Sequence, residues 1–149
     1  MANNENVPWL NNAEQQAWRS ILRGTAIMFE RISADLESDN ELQINEYDIL
    51  VHLSETEDGK MRMSDLAEAV VHSRSRLTHT VKRLENAGLV ERCRCNEDRR
   101  GIICCLTAAG FKRLEEAAPN HVVSVRRHLF ERLTQKEALE FGRLAAKLV

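Results

Sequence analysis

The stretch from Met63 to Gly110 constrains this chain more than any other, because two short amphipathic patterns stand end to end in it and a hairpin pattern follows. Ser64 is a candidate N-cap for a first helix, with Leu66, Ala67 and Val70 on one apolar face. A second helix is predicted from Ser73 to Ala87, where Gly88 can take the left-handed conformation that ends helices. Leu77, Val81 and Leu84 fall on a single stripe of that helix and should be buried. At about 100° per residue the opposite side carries Ser75, Thr78, His79, Lys82 and Arg83, with Arg76 on its flank and Ser73 and Arg74 at its start. A helix braced by its predecessor, with donors and positive charge on its exposed side, meets the requirements for reading a major groove.

Beyond Gly88, Leu89 to Cys95 reads as a strand, Asn96 to Gly101 as a turn and Ile102 to Leu106 as a returning strand. The turn ends in Arg99 and Arg100, and Arg92 and Arg94 lie on the strand before it, so the hairpin can reach phosphates or a neighbouring minor groove. Paired arginines also mark ordinary solvated turns; the helix pair in front of them favours the DNA reading. The expected fold class is mainly α with a small β wing: a winged helix-turn-helix with flanking N- and C-terminal dimerisation helices.

This stretch resembles the MarR family of bacterial transcriptional regulators. The likeness is carried by SRSRLTHTVKRLENAGLVER, then DRRG, then LTAAG, and it extends from about Glu14 to Leu148. The resemblance implies an Asp-x-Arg wing on Asp98 and Arg100, with the arginine at the minor groove and the aspartate holding it. It further implies an obligate homodimer on a pseudo-palindromic operator, released by a phenolic or aromatic ligand or by a thiol switch.

A formal charge of −2 looks wrong for a DNA binder until its distribution is considered. The segment from His72 to Arg100 carries +4 and the remainder −6, which is a localised basic footprint on an acidic body. No apolar run approaches the roughly 20 residues of a membrane span, and the first residues lack the basic and apolar regions of a signal peptide, so no membrane partner is expected and the cytoplasm is the expected compartment.

In chain order, residues 1–11 read as a polar arm. Asn12 and Gln15 suggest a capping box opening a helix to about Glu37, in which Trp18, Leu22, Thr25, Phe29, Ile32 and Leu36 form an a/d seam that wants a partner helix. Ser38 to Ile44 reads as a linker, Asn45 as the cap of a helix to Ser54, Glu55 to Lys60 as a loop and Met61 to Met63 as a short strand against the wing. Thr107 can cap a helix bearing Phe111, Leu114, Ala118, Val122, Val125 and Leu129, which Pro119 is expected to kink or break. Thr134 and Glu137 form a second capping box, opening a last helix to Leu148. The domain reading is a helical dimerisation region over 12–37 and 107–149 and a winged helix-turn-helix over 38–106. Two recognition helices one DNA turn apart read a longer site than one can, which is a physical reason to expect a homodimer.

Four cysteines, Cys93, Cys95, Cys104 and Cys105, all lie on the hairpin. They can be small semi-apolar strand residues, or thiols whose oxidation distorts the wing, their pKa lowered by Arg92, Arg94, Arg99 and Arg100. A zinc site fits poorly, because Cys-x-Cys and Cys-Cys are not the usual knuckle spacing and Cys104 and Cys105 point to opposite faces of a strand; no metal or cofactor is expected. The five histidines contain no helical His-x-x-x-His pair, and only His79 faces the expected DNA side. With no phosphate-binding loop, nucleophile elbow or acid and base carboxylate pair, an enzyme is not expected. The remaining readings are a DNA-binding regulator, most often a repressor, and a winged helix serving as a protein-interaction module without DNA. The basic wing tip together with a polar, basic recognition face favours the first.

Overall fold

The computed structural model describes residues 7–70, 74–94 and 101–149, with Arg74 and Arg94 described in backbone only. Helix α1 spans Asn12–Asn40, α2 Ile44–Ser54, α3 Met63–Ala69, α4 Arg74–Asn86, α5 Ala108–Val125 and α6 Gln135–Ala145. A π-helical turn, Arg126–Phe130, joins α5 towards α6, and strands β1 (Lys60–Arg62), β2 (Val90–Arg94) and β3 (Ile102–Leu106) form an antiparallel sheet with β3 in the middle. The helix-turn-helix is α3 and α4, the wing is β2 and β3, and both sit on one core. That core runs from Leu36 and Leu42 through Tyr47, Ile49, Leu50 and Leu53 of α2 to Leu66, Leu77, Val81 and Leu84, and ends at Val90, Cys104, Leu114 and Ala117.

Local chemistry moves several expected boundaries. Asn11, not Asn12, caps α1: its Oδ1 accepts from the Glu14 backbone N–H at 2.9 Å, and Glu14 Oε2 accepts from the Asn11 N–H at 2.8 Å. The helix continues three residues past Glu37 to Asn40, where Glu41 at φ 51° ends it, so the linker expected from Ser38 shrinks to Glu41–Gln43. Gln43 replaces Asn45 as the residue before α2, and its backbone N–H is held by Glu46 Oε2 at 2.9 Å. Ser64 is not a cap either; it lies inside α3, donating to Asp65 Oδ1 at 2.9 Å. The short strand before it is Lys60–Arg62 rather than Met61 to Met63, in register with Cys105, Cys104 and Ile103 of β3. Helix α6 ends at Ala145, short of Leu148.

Pro119 neither breaks α5 nor ends it. Both Pro119 and Glu115, whose carbonyl loses its partner, are exposed, so water can serve the freed acceptor. The expected seam of α1 divides: Ile32 and Leu36 are buried, whereas Trp18, Leu22 and Phe29 are each about half exposed. On α5 the buried face is Gly110, Leu114, Ala117 and Ser124, and Phe111 and Val122 of the expected stripe face outward. Asp35 fastens α1 to this face, accepting from Ser124 Oγ at 2.7 Å and lying 2.9 Å from His128 Nε2. The Ser124 hydrogen bond, followed by that of His128, holds the Asp35 carboxyl below the usual carboxylate range; the stabilisation is therefore fully present above that range and is lost as pH falls below it, through the lowered folded-state pKa.

Two junctions position the recognition helix. At its end, Leu89 N–H donates to the Leu84 carbonyl at 2.9 Å and Gly88 N–H to that of Glu85 at 3.0 Å, with Gly88 at φ +72°; this is a Schellman ending in which Leu89 and Leu84 are both buried. At the start of α5, Thr107 Oγ1 accepts from the Gly110 N–H at 3.0 Å and donates to the Gly88 carbonyl at 2.8 Å. One threonine thus caps α5 and ties it to the end of α4.

Candidate nucleic-acid interface

Along α4 the 3.6-residue period resolves into two sides. Leu77, Thr80, Val81 and Leu84 are buried, and Ser75, Arg76, Thr78, His79, Lys82 and Arg83 are exposed. Thr80, which carries no apolar signal in the sequence, is accommodated because its hydroxyl donates to the Arg76 carbonyl at 3.0 Å. The exposed side brings together the polar and basic residues expected there. Ser73, Cys95, Asp98, Arg99 and Arg100 lie outside the described residues. For Arg74 and Arg94 only the backbone is placed, at the first residue of α4 and the last of β2.

Two arginines expected at phosphates are engaged within the protein in the DNA-free chain. Arg92 forks onto Glu85, with Nε at 3.1 Å and Nη2 at 2.8 Å from Oε2, and this charge-assisted pair ties β2 to α4. The same hydrogen bond holds the Glu85 carboxyl below its usual range. Arg83 reaches the start of α2, with Nη1 donating to Gln43 Oε1 at 2.7 Å and Nε lying 3.2 Å from Glu46 Oε1. Sequence reasoning missed Glu46, a carboxylate only 6% exposed. Its signal was Gln43-x-x-Glu46, a capping-box spacing with an uncommon first residue.

The cysteines correct a second expectation. Cys104 and Cys105 are both buried although they point to opposite faces of β3, and Cys93 is exposed. Burial, with the neighbouring Cys105, pushes the Cys104 thiol up to about 12, and burial with the Cys93 hydrogen bond pushes Cys105 up to about 11. The arginines do not prevail: Arg92 draws Cys104 down, but its partner Glu85 pushes the other way. Cys93 stands opposite Ile103, diagonal to Cys105 on the same face, and the two thiols share a hydrogen bond. Iodoacetamide at about pH 8 is therefore expected to modify Cys93 in the native protein and to spare Cys104 and Cys105 until denaturant is added, as read by peptide mass spectrometry. Fast native labelling of Cys104 would contradict this account of the sheet. Among the described residues, no group of three His, Cys, Asp or Glu is arranged to hold a metal ion, and no helix is long and apolar enough to cross a membrane.

Comparison with known proteins agrees with this geometry. Residues 41–101 match the model of the MarR family. The chain is 30% identical over 122 residues to the HTH-type transcriptional repressor MdtR of Bacillus subtilis, covering 81% of this chain and 78% of that protein. Among solved structures it is similar to AbsC, a MarR family transcriptional regulator of Streptomyces coelicolor, at 42% identity and a TM-score of 0.87 with 95% of each chain covered. It is also similar to Sco3205 of the same organism, solved in complex with DNA, at 34% identity and a TM-score of 0.90, covering 95% of this chain and 89% of that one. A wing and recognition helix on a shared core, flanked by the same helices as in these regulators, lead to one assignment: the chain belongs to the MarR family of DNA-binding transcriptional regulators, and is not an enzyme.

Proposed function

We propose that the protein is a homodimeric, sequence-specific repressor that binds a pseudo-palindromic operator in double-stranded DNA. The observation that carries this reading is the exposed side of α4, which holds Ser75, Arg76, Thr78, His79 and Lys82 on a helix whose other side is locked into the core. Ser75, Arg76, Thr78 and His79 read base edges, Lys82 and Arg94 meet phosphates, and Arg100 of the wing, braced by Asp98, reaches the minor groove. Dimerisation is supported by Trp18, Leu22, Phe29, Val122 and Phe130, large apolar side chains between 44% and 56% exposed on the flanking helices of a single chain. Occupying an operator beside a promoter then excludes polymerase.

Of the two release routes, the structure favours a small aromatic effector over thiol oxidation. A cleft of about 390 Å³ between α1 and the helices after α5 is walled by Ile21, Met28, Leu129, Leu133 and Phe141, with Arg132 available for an acidic group. The cleft lies among the flanking helices, where a ligand can alter the spacing of two recognition helices. For the wing, Arg100→Ala is expected to weaken operator binding by on the order of 1 to 3 kcal/mol in a fluorescence-anisotropy titration. An unchanged affinity would remove the wing from the mechanism.

A further inference from the structure

Arg83 occupies the last turn of α4, about one to two turns beyond the residues placed at base edges, and its guanidinium is divided between two residues at the start of α2. Glu46 is buried and uses both oxygens, Oε2 on the Gln43 backbone N–H and Oε1 on Arg83 Nε, while the Gln43 side chain accepts from Arg83 Nη1. This corner of α2 lies three residues from the end of α1, with Leu42 of the connection only 1% exposed. Helix α5 grips the same corner, since Arg113 Nη1 donates to the Asn40 carbonyl at 3.1 Å. A continuous set of contacts therefore joins the flanking helices α1 and α5 to the far end of the recognition helix. A helix of 13 residues is a rod of about 20 Å, so fixing one end against the flanking helices sets the angle at which the other end enters a groove.

We propose that Glu46 and Arg83 are positioning residues that hold α4 at a fixed angle to the flanking helices, and so set the half-site spacing that the dimer accepts. The inference rests on the proposed function, because spacing has meaning only for a dimer that reads DNA. It opposes the simpler role expected of Arg83 from the sequence, a phosphate contact, and the two roles differ in sign. If Arg83 serves phosphate, Glu46 competes with DNA for it, and removing the charge of Glu46 strengthens binding. If the pair is a strut, removing that charge weakens binding and relaxes spacing.

Glu46→Gln is the decisive variant, since glutamine retains an oxygen for the Gln43 N–H and the start of α2 survives. Full-length wild type first selects duplexes from a random pool; the consensus is then prepared at its own half-site spacing and with one base pair added or removed. For Glu46→Gln the expected result is about tenfold weaker binding at the selected spacing, a smaller penalty at the altered spacings, and a salt slope equal to that of wild type. Arg83→Lys, which keeps the charge but cannot fork, is expected to behave in the same way, and the double variant is expected to be no worse than either single one. Thermal melts of each variant confirm folding. Tighter binding by Glu46→Gln, with Arg83→Lys indistinguishable from wild type at every spacing, would overturn the strut and make Arg83 a phosphate contact. A wild type that selects no duplex would instead bring down the DNA-reading function, and that failure shows at the selection step before any variant is compared.

Discussion

Gly110→Ala is expected to lower the thermal midpoint by about 10 °C, corresponding to roughly 3 kcal/mol lost at the midpoint for a chain of this size. Gly110 lies in the first turn of α5, where a Cβ would collide with the carbonyl oxygen of Leu89 and come within 2.8 Å of Leu106 Cδ1. The leucine side chain can rotate; the carbonyl cannot move away cheaply. Leu89 is fixed by its N–H on the Leu84 carbonyl at 2.9 Å, and its own carbonyl accepts from the Thr107 N–H at 3.1 Å. Relief must therefore come from displacing α5 or the end of α4, so the variant is also expected to lose operator affinity even at temperatures where it remains folded. A midpoint within about 2 °C of wild type would show that the junction yields more easily than its hydrogen bonds suggest.

The second large effect concerns reading rather than folding. Replacing Ser75, Thr78 and His79 together by alanine is expected to reduce affinity for the operator at least 100-fold while leaving affinity for a scrambled duplex nearly unchanged. Each base-edge contact contributes on the order of 1 to 3 kcal/mol of discrimination, whereas non-specific binding comes from the positive charge that the variant retains. All three positions are exposed, so the melting temperature should stay close to that of wild type. An equal loss on both duplexes would mean that these side chains contribute general affinity and that sequence is read elsewhere.

How far the sequence discloses this structure depends on whether a signal is local. The recognition helix was legible because Leu77, Val81 and Leu84 repeat at helical spacing and Gly88 ends the helix as expected, at φ +72°. The wing strands and the Thr107 and Thr134 caps were legible for the same reason, each being written within a few residues. The seam of α1 shows where locality ends. Its spacing is regular throughout, yet Ile32 and Leu36 find partners within the chain and Trp18, Leu22 and Phe29 do not.

Glu46 with Arg83 and Asp35 with Ser124 and His128 join residues on different helices, and no periodicity announces such pairs. Arg83 and Arg92 were expected at phosphates because each is basic and lies near the reading surface. Each has a carboxylate within reach in the folded chain: Arg83 is ion-paired with Glu46, and Arg92 makes a charge-assisted hydrogen bond to Glu85. The lowered pKa expected at Cys104 and Cys105 fails for a similar reason: counting arginines along the strands ignored desolvation, which dominates once β1 and β2 flank the two residues on both sides.

The central claim, that this chain is built to read DNA through α4, is tested most directly by the salt dependence of anisotropy for the fully reduced protein on a duplex selected from a random pool, beside its scrambled counterpart. The predicted result is a preference of 1,000-fold or more for the selected duplex at about 150 mM salt, with affinity for both falling steeply as salt rises. Equal, weak affinities for the two duplexes at every salt concentration would contradict it.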